Sequence, residues 1–112
     1  NEADLLTCYA NDYGYENWVA ECFKSYGKKN DVAILISSSG MSKNIINGVK
    51  KAKKMGLKTI TLTGFNKNNK VRKLGLVNLW VNSKKYNIVE MVHHIWLLSI
   101  CDFIAQNKSR IK

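Results

Sequence analysis

Blocks of apolar residues recur along the chain, and the spacing within each block predicts helices and strands in turn. In "YENWVAECFKSYG", residues 15–27, the apolar positions recur as on one face of a helix, and Gly27 is well placed to end it. The next segment, "NDVAILIS" at residues 30–37, is a run of aliphatic residues without alternation. This pattern is typical of a strand buried on both faces, as in a parallel sheet.

The central third of the chain predicts a strand-helix-strand unit. After residue 42 the apolar residues fall on one helical stripe backed by lysines, and Gly56 ends the stripe. The stripe consists of Ile45, Ile46, Val49, Ala52 and Met55. The segment "LKTITLTG", residues 57–64, then predicts a second buried strand. Two parallel strands joined by a helix imply a right-handed crossover within residues 31–63.

The C-terminal part predicts a turn-rich segment, a short strand and a long helix. Residues 65–75 are polar, with one helical turn at most, and residues 76–82 alternate in part, as in a third strand. The segment at residues 86–108 is apolar on nearly every side of a helix, with Ile88, Met91, Val92, Ile95, Trp96, Ser99 and Phe103 at helical spacing. Burial in the core and contact with another subunit explain such a helix equally well.

These elements together predict an α/β fold, a three-layer sandwich with a central parallel sheet of the flavodoxin-like or Rossmann-like type. The chain has 112 residues, of which 46% are hydrophobic. That amount of apolar surface suffices for one core and leaves little for a second, so we expect a single domain over residues 1–112.

The chain is strongly basic, with a formal net charge of +10. A charge of this size attracts anions, whether nucleic acid, an acidic membrane or a small phosphorylated ligand. The lysines are dispersed, as in "KKAKK" at residues 50–54 and "NKNNKVRK" at residues 66–73, and no aromatic stripe is interleaved with them. This pattern favours solvated surfaces over a nucleic-acid interface.

The cysteines and the terminal segments indicate a cytoplasmic protein. Three cysteines, Cys8, Cys22 and Cys101, are odd in number and have no C-x-x-C spacing, so neither a disulfide framework nor a zinc ribbon is predicted. The first residues show no secretory leader, and the most apolar run, residues 95–100, is too short to cross a bilayer. We therefore expect a reducing compartment and no membrane partner.

Four serines and a glycine separate the first strand from the following helix, in "SSSGMS" at residues 37–42. Ligands of parallel α/β sheets bind at the carboxyl ends of the strands, and the N-terminus of a helix favours an anion there. The serine hydroxyls can donate further hydrogen bonds, and Gly40 allows a tight turn or a close approach to a ligand. Two simpler explanations stay open, namely that Ser42 is only the N-cap of its helix and that the serines form an ordinary polar loop.

Nucleotide binding is not supported by this loop. It matches neither the G-x-x-x-x-G-K-[ST] pattern nor the dinucleotide pattern G-x-G-x-x-G. We expect no cofactor.

The segment "DVAILISSSGMSKNIINGVKKAKKMGLKTITLTG" resembles the phosphosugar-binding stretch of the sugar isomerase (SIS) domain family. The preceding "LLTCYANDYGYE" is similar to the N-D-[FY]-G-[FY]-E segment of the phosphoheptose isomerase branch, whose enzymes act on sedoheptulose 7-phosphate. The two motifs stand in the family's order and cover residues 5–65. That branch also carries an earlier G-N-G-G-S loop and a helix with a catalytic glutamate, and this sequence has neither. We therefore expect an N-terminally truncated, partial SIS domain.

The resemblance assigns roles to residues in both motifs. It implies that the substrate phosphate is held by the four serines of the loop, Ser37, Ser38, Ser39 and Ser42. It also implies that Asn11 and Asp12 lie near the sugar, where a carboxylate can accept hydrogen bonds from hydroxyl groups. From the sequence alone, Asp12 could equally cap a helix that begins near Tyr13.

The last helix departs from the branch, which typically has an I-Q-E-x-H pattern and a second histidine five residues later. In "IVEMVHHIWLL" the chain keeps Glu90, but Val89, Val92 and Leu97 stand at the glutamine and the two histidine positions. Aldose-ketose isomerisation needs a proton donor and acceptor tuned near neutral pH, and His93 with Glu90 is our catalytic candidate pair. Alternatively, His93 and His94 are partly buried helix histidines bonded to backbone or water. Because they are adjacent, they point to different sides of the helix, and no metal site is expected.

Three functions follow, in decreasing order of support. The first is a cytoplasmic sugar-phosphate isomerase, acting on a substrate like sedoheptulose 7-phosphate and forming a homo-oligomer, a dimer or a tetramer, as the resemblance implies. The second is a non-catalytic SIS module that senses a sugar phosphate or serves as a protein scaffold. Nucleic-acid binding through the positive charge is the third, and it predicts a steep salt dependence of affinity.

Overall fold

The computed structural model describes residues 3–110, which form four α-helices, one turn of 3-10 helix and three strands. In chain order these are α1 (Ala3–Tyr13), α2 (Trp18–Tyr26), β1 (Val32–Ser37), α3 (Lys43–Lys54), β2 (Lys58–Thr63), the 3-10 turn (Val71–Lys73), β3 (Val77–Trp80) and α4 (Tyr86–Gln106). The predicted elements from α2 onward are confirmed. The sequence analysis did not predict α1, a helix without a buried residue.

The three strands form one parallel sheet in the order β1-β2-β3. Val32 is paired with Lys58 at one end of the β1-β2 ladder, and Ser37 is paired with Thr63 at the other. The predicted parallel sheet is therefore confirmed. Its carboxyl edge carries the residues that follow Ser37, Thr63 and Trp80, so the loops after all three strands meet on one side of the molecule.

The main hydrophobic core lies between the sheet and the helix pair α2 and α3. Ala33 and Leu35 of β1 face Val49 and Ala52 of α3, and all four are buried. Gly48 lets α2 approach, since a β-carbon there would lie 2.5 Å from a methyl group of Val19. The predicted apolar stripe of α3 is confirmed, since Val49 and Ala52 are buried in this core and Ile45, Ile46 and Met55 pack against it. The close approach of α2 occurs at a glycine that the stripe did not include.

The second face of β1 corrects the sequence analysis, which predicted burial on both faces. Val32, Ile34 and Ile36 are 58%, 47% and 44% exposed, while the residues between them are buried. Among residues 3–110, β1 is an edge strand whose outer face lies open. An unbroken aliphatic run shows that a strand can be buried on both faces, but it does not say what covers each face.

The long helix α4 packs over the opposite face of the sheet and supplies the third layer. Its two buried residues are Val89 and His93. Val89 lies directly against Gly64, and His93 Nε2 is 3.1 Å from the carbonyl oxygen of Thr63 at the end of β2. Because a carbonyl oxygen only accepts, Nε2 carries the proton in this bond. These contacts fix the N-terminal half of α4 to the carboxyl edge of the sheet.

Much of the remaining surface of α4 is apolar and exposed, including Met91, Ile95 and Leu98. With 21 residues and a mean hydropathy of 1.5 over its most apolar stretch, α4 is long and apolar enough to cross a membrane by length and composition. The sequence analysis considered only the apolar run at residues 95–100, whereas the helix that contains this run is 21 residues long. Helices of soluble proteins pass the same test, and α4 is docked on the sheet by the His93–Thr63 hydrogen bond and by the packing of Val89 on Gly64.

Candidate functional site

The serine loop, residues 37–42, connects the carboxyl end of β1 to the first turn of α3, as the sequence predicts. Its turn depends on Gly40, which has φ +63°. The Gly40 N–H donates both to the carbonyl oxygen of Ser37 at 3.0 Å and to the Ser37 hydroxyl at 3.1 Å. The predicted tight turn is confirmed, and a residue without a β-carbon adopts it at least cost.

The four serine side chains are not equivalent. Ser37 is buried, and its oxygen accepts the Gly40 N–H, while the Ser39 oxygen accepts the N–H of Met41 at 3.2 Å. Ser42 Oγ lies 3.3 Å from Ser37 Oγ. Ser37 and Ser39 thus use lone pairs to shape the loop, but each hydroxyl keeps a hydrogen that it can donate.

Ser42 occupies the N-cap position of α3 without capping it through its side chain. Its backbone is extended, and its hydroxyl makes no hydrogen bond to the first turn of α3. Ser42 is thus the N-cap by position, as the simpler explanation has it, but its hydroxyl does not form the usual cap bond. The first intrahelical bond runs from the Ile46 N–H to the carbonyl oxygen of Ser42, so the preceding N–H groups of the helix are available to a ligand.

A cavity of about 580 Å³ opens beside the serine loop. Its walls come from three parts of the chain and consist of Tyr15, Glu16, Ile36, Ser37, Ser38, Ser39, Ser42, Lys43, Asn44, Ile45 and Tyr86. The volume is in the range of small-molecule sites. The positive end of the α3 dipole and the Lys43 ammonium favour an anion at the serine side of the cavity, and Glu16 offers a hydrogen-bond acceptor.

The structure brings the four predicted phosphate-binding serines together at this cavity. Asn11 and Asp12 do not line it. They lie in the last turn of α1, where the Asn11 side-chain amide donates to Asp12 Oδ1 at 3.0 Å. Asp12 does not cap a helix that begins near Tyr13, because α1 ends there. The role of Asn11 and Asp12 near the sugar stays a prediction.

The predicted catalytic pair is also outside the walls of the cavity. His93 is 2% exposed, and its Nε2 is bonded to the Thr63 carbonyl oxygen. Its Nδ1 is buried without a hydrogen-bond partner. Glu90 is exposed on the outer surface of α4. His93 is thus bonded to the backbone, as expected if it is a buried helix histidine without a catalytic role. The catalytic role of His93 and Glu90 stays a prediction.

The two adjacent histidines have different surroundings, since His93 is buried and His94 is exposed. Within residues 3–110, no group of three His, Cys, Asp or Glu side chains is arranged to hold a metal ion.

Sequence reasoning missed five polar or aromatic residues of the cavity, namely Tyr15, Glu16, Lys43, Asn44 and Tyr86. Tyr15 and Glu16 end the segment "NDYGYE", which marked the right part of the chain although the structure selects different residues from it. Gly14, with φ +84°, turns the chain after α1 and leads these two residues to the cavity. Tyr86 begins α4 and stacks edge-on against Phe65 at 4.8 Å between ring centres, a packing that no local pattern encodes.

Comparison with known proteins gives one family match and several close relatives. A family model described as the SIS domain matches residues 1–64. The phosphoheptose isomerase of Helicobacter pylori (strain HPAG1) is 38% identical over 106 residues, which cover 95% of this chain and 55% of that protein. The phosphoheptose isomerase of Aliarcobacter butzleri (strain RM4018) is 36% identical over 108 residues, with 96% and 57% covered. The chain thus spans little more than half the length of these relatives.

Solved structures agree with the sequence matches. A phosphoheptose isomerase from Francisella tularensis superposes with a TM-score of 0.87 at 26% identity, over 95% of this chain and 56% of that one. The phosphoheptose isomerase from Neisseria gonorrhoeae gives a TM-score of 0.87 at 29% identity, over 93% and 59%. The predicted fold, a central parallel sheet with helices on both faces, is confirmed by this agreement.

Proposed function

We propose that this chain, which belongs to the SIS domain family, binds a sugar phosphate and holds its phosphate group in the serine loop. The observation that carries the proposal is the cavity, whose walls include all four loop serines and the first residues of α3. Hydroxyl groups and helix N–H groups supply directed donors, and the helix dipole adds a favourable potential for an anion. Lys43 is the cationic side chain among the residues of the cavity walls.

The remaining walls suit the sugar part of such a ligand. Tyr15 and Tyr86 present aromatic rings with hydroxyl groups, and the Glu16 carboxylate accepts hydrogen bonds from hydroxyl groups. A mixed wall of this kind fits a polyol chain attached to a phosphate better than a purely apolar molecule. Similarity to proteins named phosphoheptose isomerase supports a seven-carbon ketose phosphate, sedoheptulose 7-phosphate, as the substrate of an aldose-ketose isomerisation.

A second function, binding without turnover, is favoured by the position of His93. Its only described hydrogen bond ties α4 to Thr63, and the side chain is buried away from the cavity. Among the residues of the cavity walls, Glu16 is the one carboxylate, and none is a histidine. A chain with this arrangement can serve as a sugar-phosphate sensor or an assembly module.

Calorimetric titration and an isomerase assay on the 112-residue chain separate these functions. Sedoheptulose 7-phosphate is compared with sedoheptulose and with inorganic phosphate. Saturable binding that requires the phosphate supports the proposed site, and conversion of the sugar phosphate adds the isomerase activity. Binding without conversion favours the sensor, whereas equal affinity for sedoheptulose with and without its phosphate contradicts the assignment of the serine loop.

We also propose a homo-oligomeric, cytoplasmic protein. The exposed apolar side chains of β1 and α4 support self-association, since an apolar patch of this kind on a soluble domain marks a contact surface. The cysteines Cys8, Cys22 and Cys101 are all free thiols, which supports a reducing compartment.

A further inference from the structure

The loop that follows β2, residues 64–70, packs directly on the serine loop. One backbone hydrogen bond runs from the Gly64 N–H to the Ser38 carbonyl oxygen at 2.9 Å. A second runs from the N–H of Val71, the first residue of the following 3-10 turn, to the Gly40 carbonyl oxygen at 3.0 Å. The shape of the serine loop is therefore set partly by a segment that lies outside the sequence motif.

Asn69 is the centre of this second loop. The side chain is 2% exposed, and its amide nitrogen lies within hydrogen-bond distance of the Thr63 hydroxyl, the Gly64 carbonyl oxygen and the Asn66 carbonyl oxygen, at 3.1, 3.2 and 2.8 Å. Its Oδ1 accepts the N–H of Arg72 at 2.8 Å. Both ends of the buried carboxamide are satisfied, so its orientation is fixed by the end of β2 and the start of the 3-10 turn.

The same carboxamide lies against Gly40 of the serine loop. A β-carbon at residue 40 would overlap with the side chain of Asn69. Gly40 also has φ +63°, which only glycine adopts readily. The bare α-carbon of Gly40 thus fits against a rigid amide plane, and the Gly40 carbonyl is held at the same time by Val71.

We infer that Asn69 is a positioning residue for the serine loop. It does not line the cavity, and it acts by fixing the surface on which the Gly40 turn rests. The hydroxyls of Ser39 and Ser42, on either side of this turn, then point to the same cavity. The inference rests on the proposed function insofar as the fixed loop serves phosphate binding.

Asn69→Ala tests the inference, with Asn68→Ala as the matched control because Asn68 is exposed in the same loop and its side chain has no hydrogen bond. Two quantities are measured on folded protein: the affinity for sedoheptulose 7-phosphate by calorimetry, and amide hydrogen exchange by NMR. We expect Asn69→Ala to weaken binding at least tenfold. We also expect exchange of the Gly40 and Val71 amides to accelerate relative to amides in the centre of β2, with no such change in Asn68→Ala.

The exchange measurement decides the inference even if the proposed function fails. If the unaltered chain binds no sugar phosphate, the proposed function is wrong, and local loosening at Gly40 in Asn69→Ala still supports the positioning role. Unchanged exchange at Gly40 and Val71, or unchanged affinity in a chain that does bind, overturns it. If Asn69→Ala does not fold, Asn69→Ser, which keeps one donor, is compared with Asn68→Ser in the same way.

Discussion

At the scale of single residues, the serine hydroxyls of the loop differ in whether they accept a backbone N–H group of the loop. The hydroxyls of Ser37 and Ser39 accept backbone N–H groups of the loop itself, whereas the Ser42 hydroxyl bonds no backbone group of α3 and lies 3.3 Å from the Ser37 hydroxyl. Loss of Ser37 or Ser39 therefore changes both the loop and its ligand contacts. Ser42 separates the two effects most cleanly.

Ser42→Ala should reduce ligand affinity without the usual loss of helix stability. Removing a side-chain N-cap costs about 1 kcal/mol, but Ser42 makes no such bond. The variant loses only the long 3.3 Å contact with the Ser37 hydroxyl, so we expect a change in unfolding free energy below about 1 kcal/mol. Loss of one donor to an anion should weaken sedoheptulose 7-phosphate binding by roughly tenfold or more. Calorimetry and urea unfolding measure both quantities, with exposed Ser99→Ala as the control. A large stability loss with unchanged affinity would contradict this assignment.

Gly40→Ala and Gly56→Ala form a matched pair, since both glycines have positive φ, at +63° and +80°. An alanine in this conformation costs about 1–2 kcal/mol at either position. At Gly40 the new methyl group also overlaps with buried Asn69, whereas at Gly56 it meets the flexible side chain of Lys29. We expect Gly40→Ala to be more destabilising by about 1–3 kcal/mol in urea unfolding. Equal losses of unfolding free energy in the two variants would show that Asn69 moves aside at no energetic cost.

Cys22 should be the least reactive of the three thiols. Burial raises the pKa of the Cys22 thiol, because the thiolate is poorly solvated there. The reactive thiolate is therefore scarcer at a given pH, and alkylation near pH 8 should be slower at Cys22 than at the exposed Cys8 and Cys101. Mass spectrometry of time points with iodoacetamide measures the three rates. Because the pKa of Cys22 is higher in the folded protein than in the unfolded chain, the free energy of unfolding falls as pH rises through that raised pKa.

At the scale of secondary structure elements, the position of α4 depends on a small contact at the end of β2. Gly64 has no side chain, and buried Val89 occupies the space that a β-carbon would need, at 2.6 Å from it. One turn later, His93 bonds the carbonyl oxygen of Thr63. Tyr86, which lines the cavity, is thereby placed by the docking of the whole helix.

Gly64→Ala and Val89→Ala should show strong coupling. Gly64→Ala forces a methyl group into Val89 and should cost about 1–3 kcal/mol. Val89→Ala removes buried methyl groups and should cost about 2 kcal/mol. In the double variant the smaller side chain leaves room for the new methyl group, so the loss should be less than the sum by more than about 0.5 kcal/mol. Urea unfolding of the four proteins measures this, with exposed Met91→Ala as a control on α4.

At the scale of the whole molecule, the two faces of the sheet differ sharply in what covers them. One face is closed by α2 and α3. On the other, α4 reaches over the end of β2, while β1 keeps Val32, Ile34 and Ile36 exposed. The exposed apolar side chains of α4 add to this open surface.

Self-association through this surface should depend on Ile95, which is 55% exposed near the middle of α4. We expect the unaltered chain to sediment as a dimer or larger species and Ile95→Lys to shift it toward the monomer, with a dissociation constant raised roughly tenfold or more. Tyr26→Lys, an exposed aromatic residue on α2, is the control. A chain that sediments as a monomer at all concentrations would contradict the proposed homo-oligomer.

Much of this protein was predictable because its information is local. Helical periodicity, aliphatic runs and glycine stops identified the parallel strand-helix-strand unit, the third strand and the long last helix. The serine loop was found as well, since a loop that joins a strand to a helix must lie at the carboxyl edge of a parallel sheet. The spacing of residues along the chain was enough to predict these elements, because each of them is formed by residues that are close in sequence.

Only the tertiary structure decided which residues complete the site and which faces are covered. Tyr86, Glu16 and Asn69 come to the serine loop from three separate segments, through packing that leaves no trace in local spacing. His93 carries the residue type expected for catalysis, but helix docking turns it into the core and toward Thr63. The outer face of β1 is exposed although its residues are aliphatic, because burial depends on what packs against a strand and not on the strand's own composition.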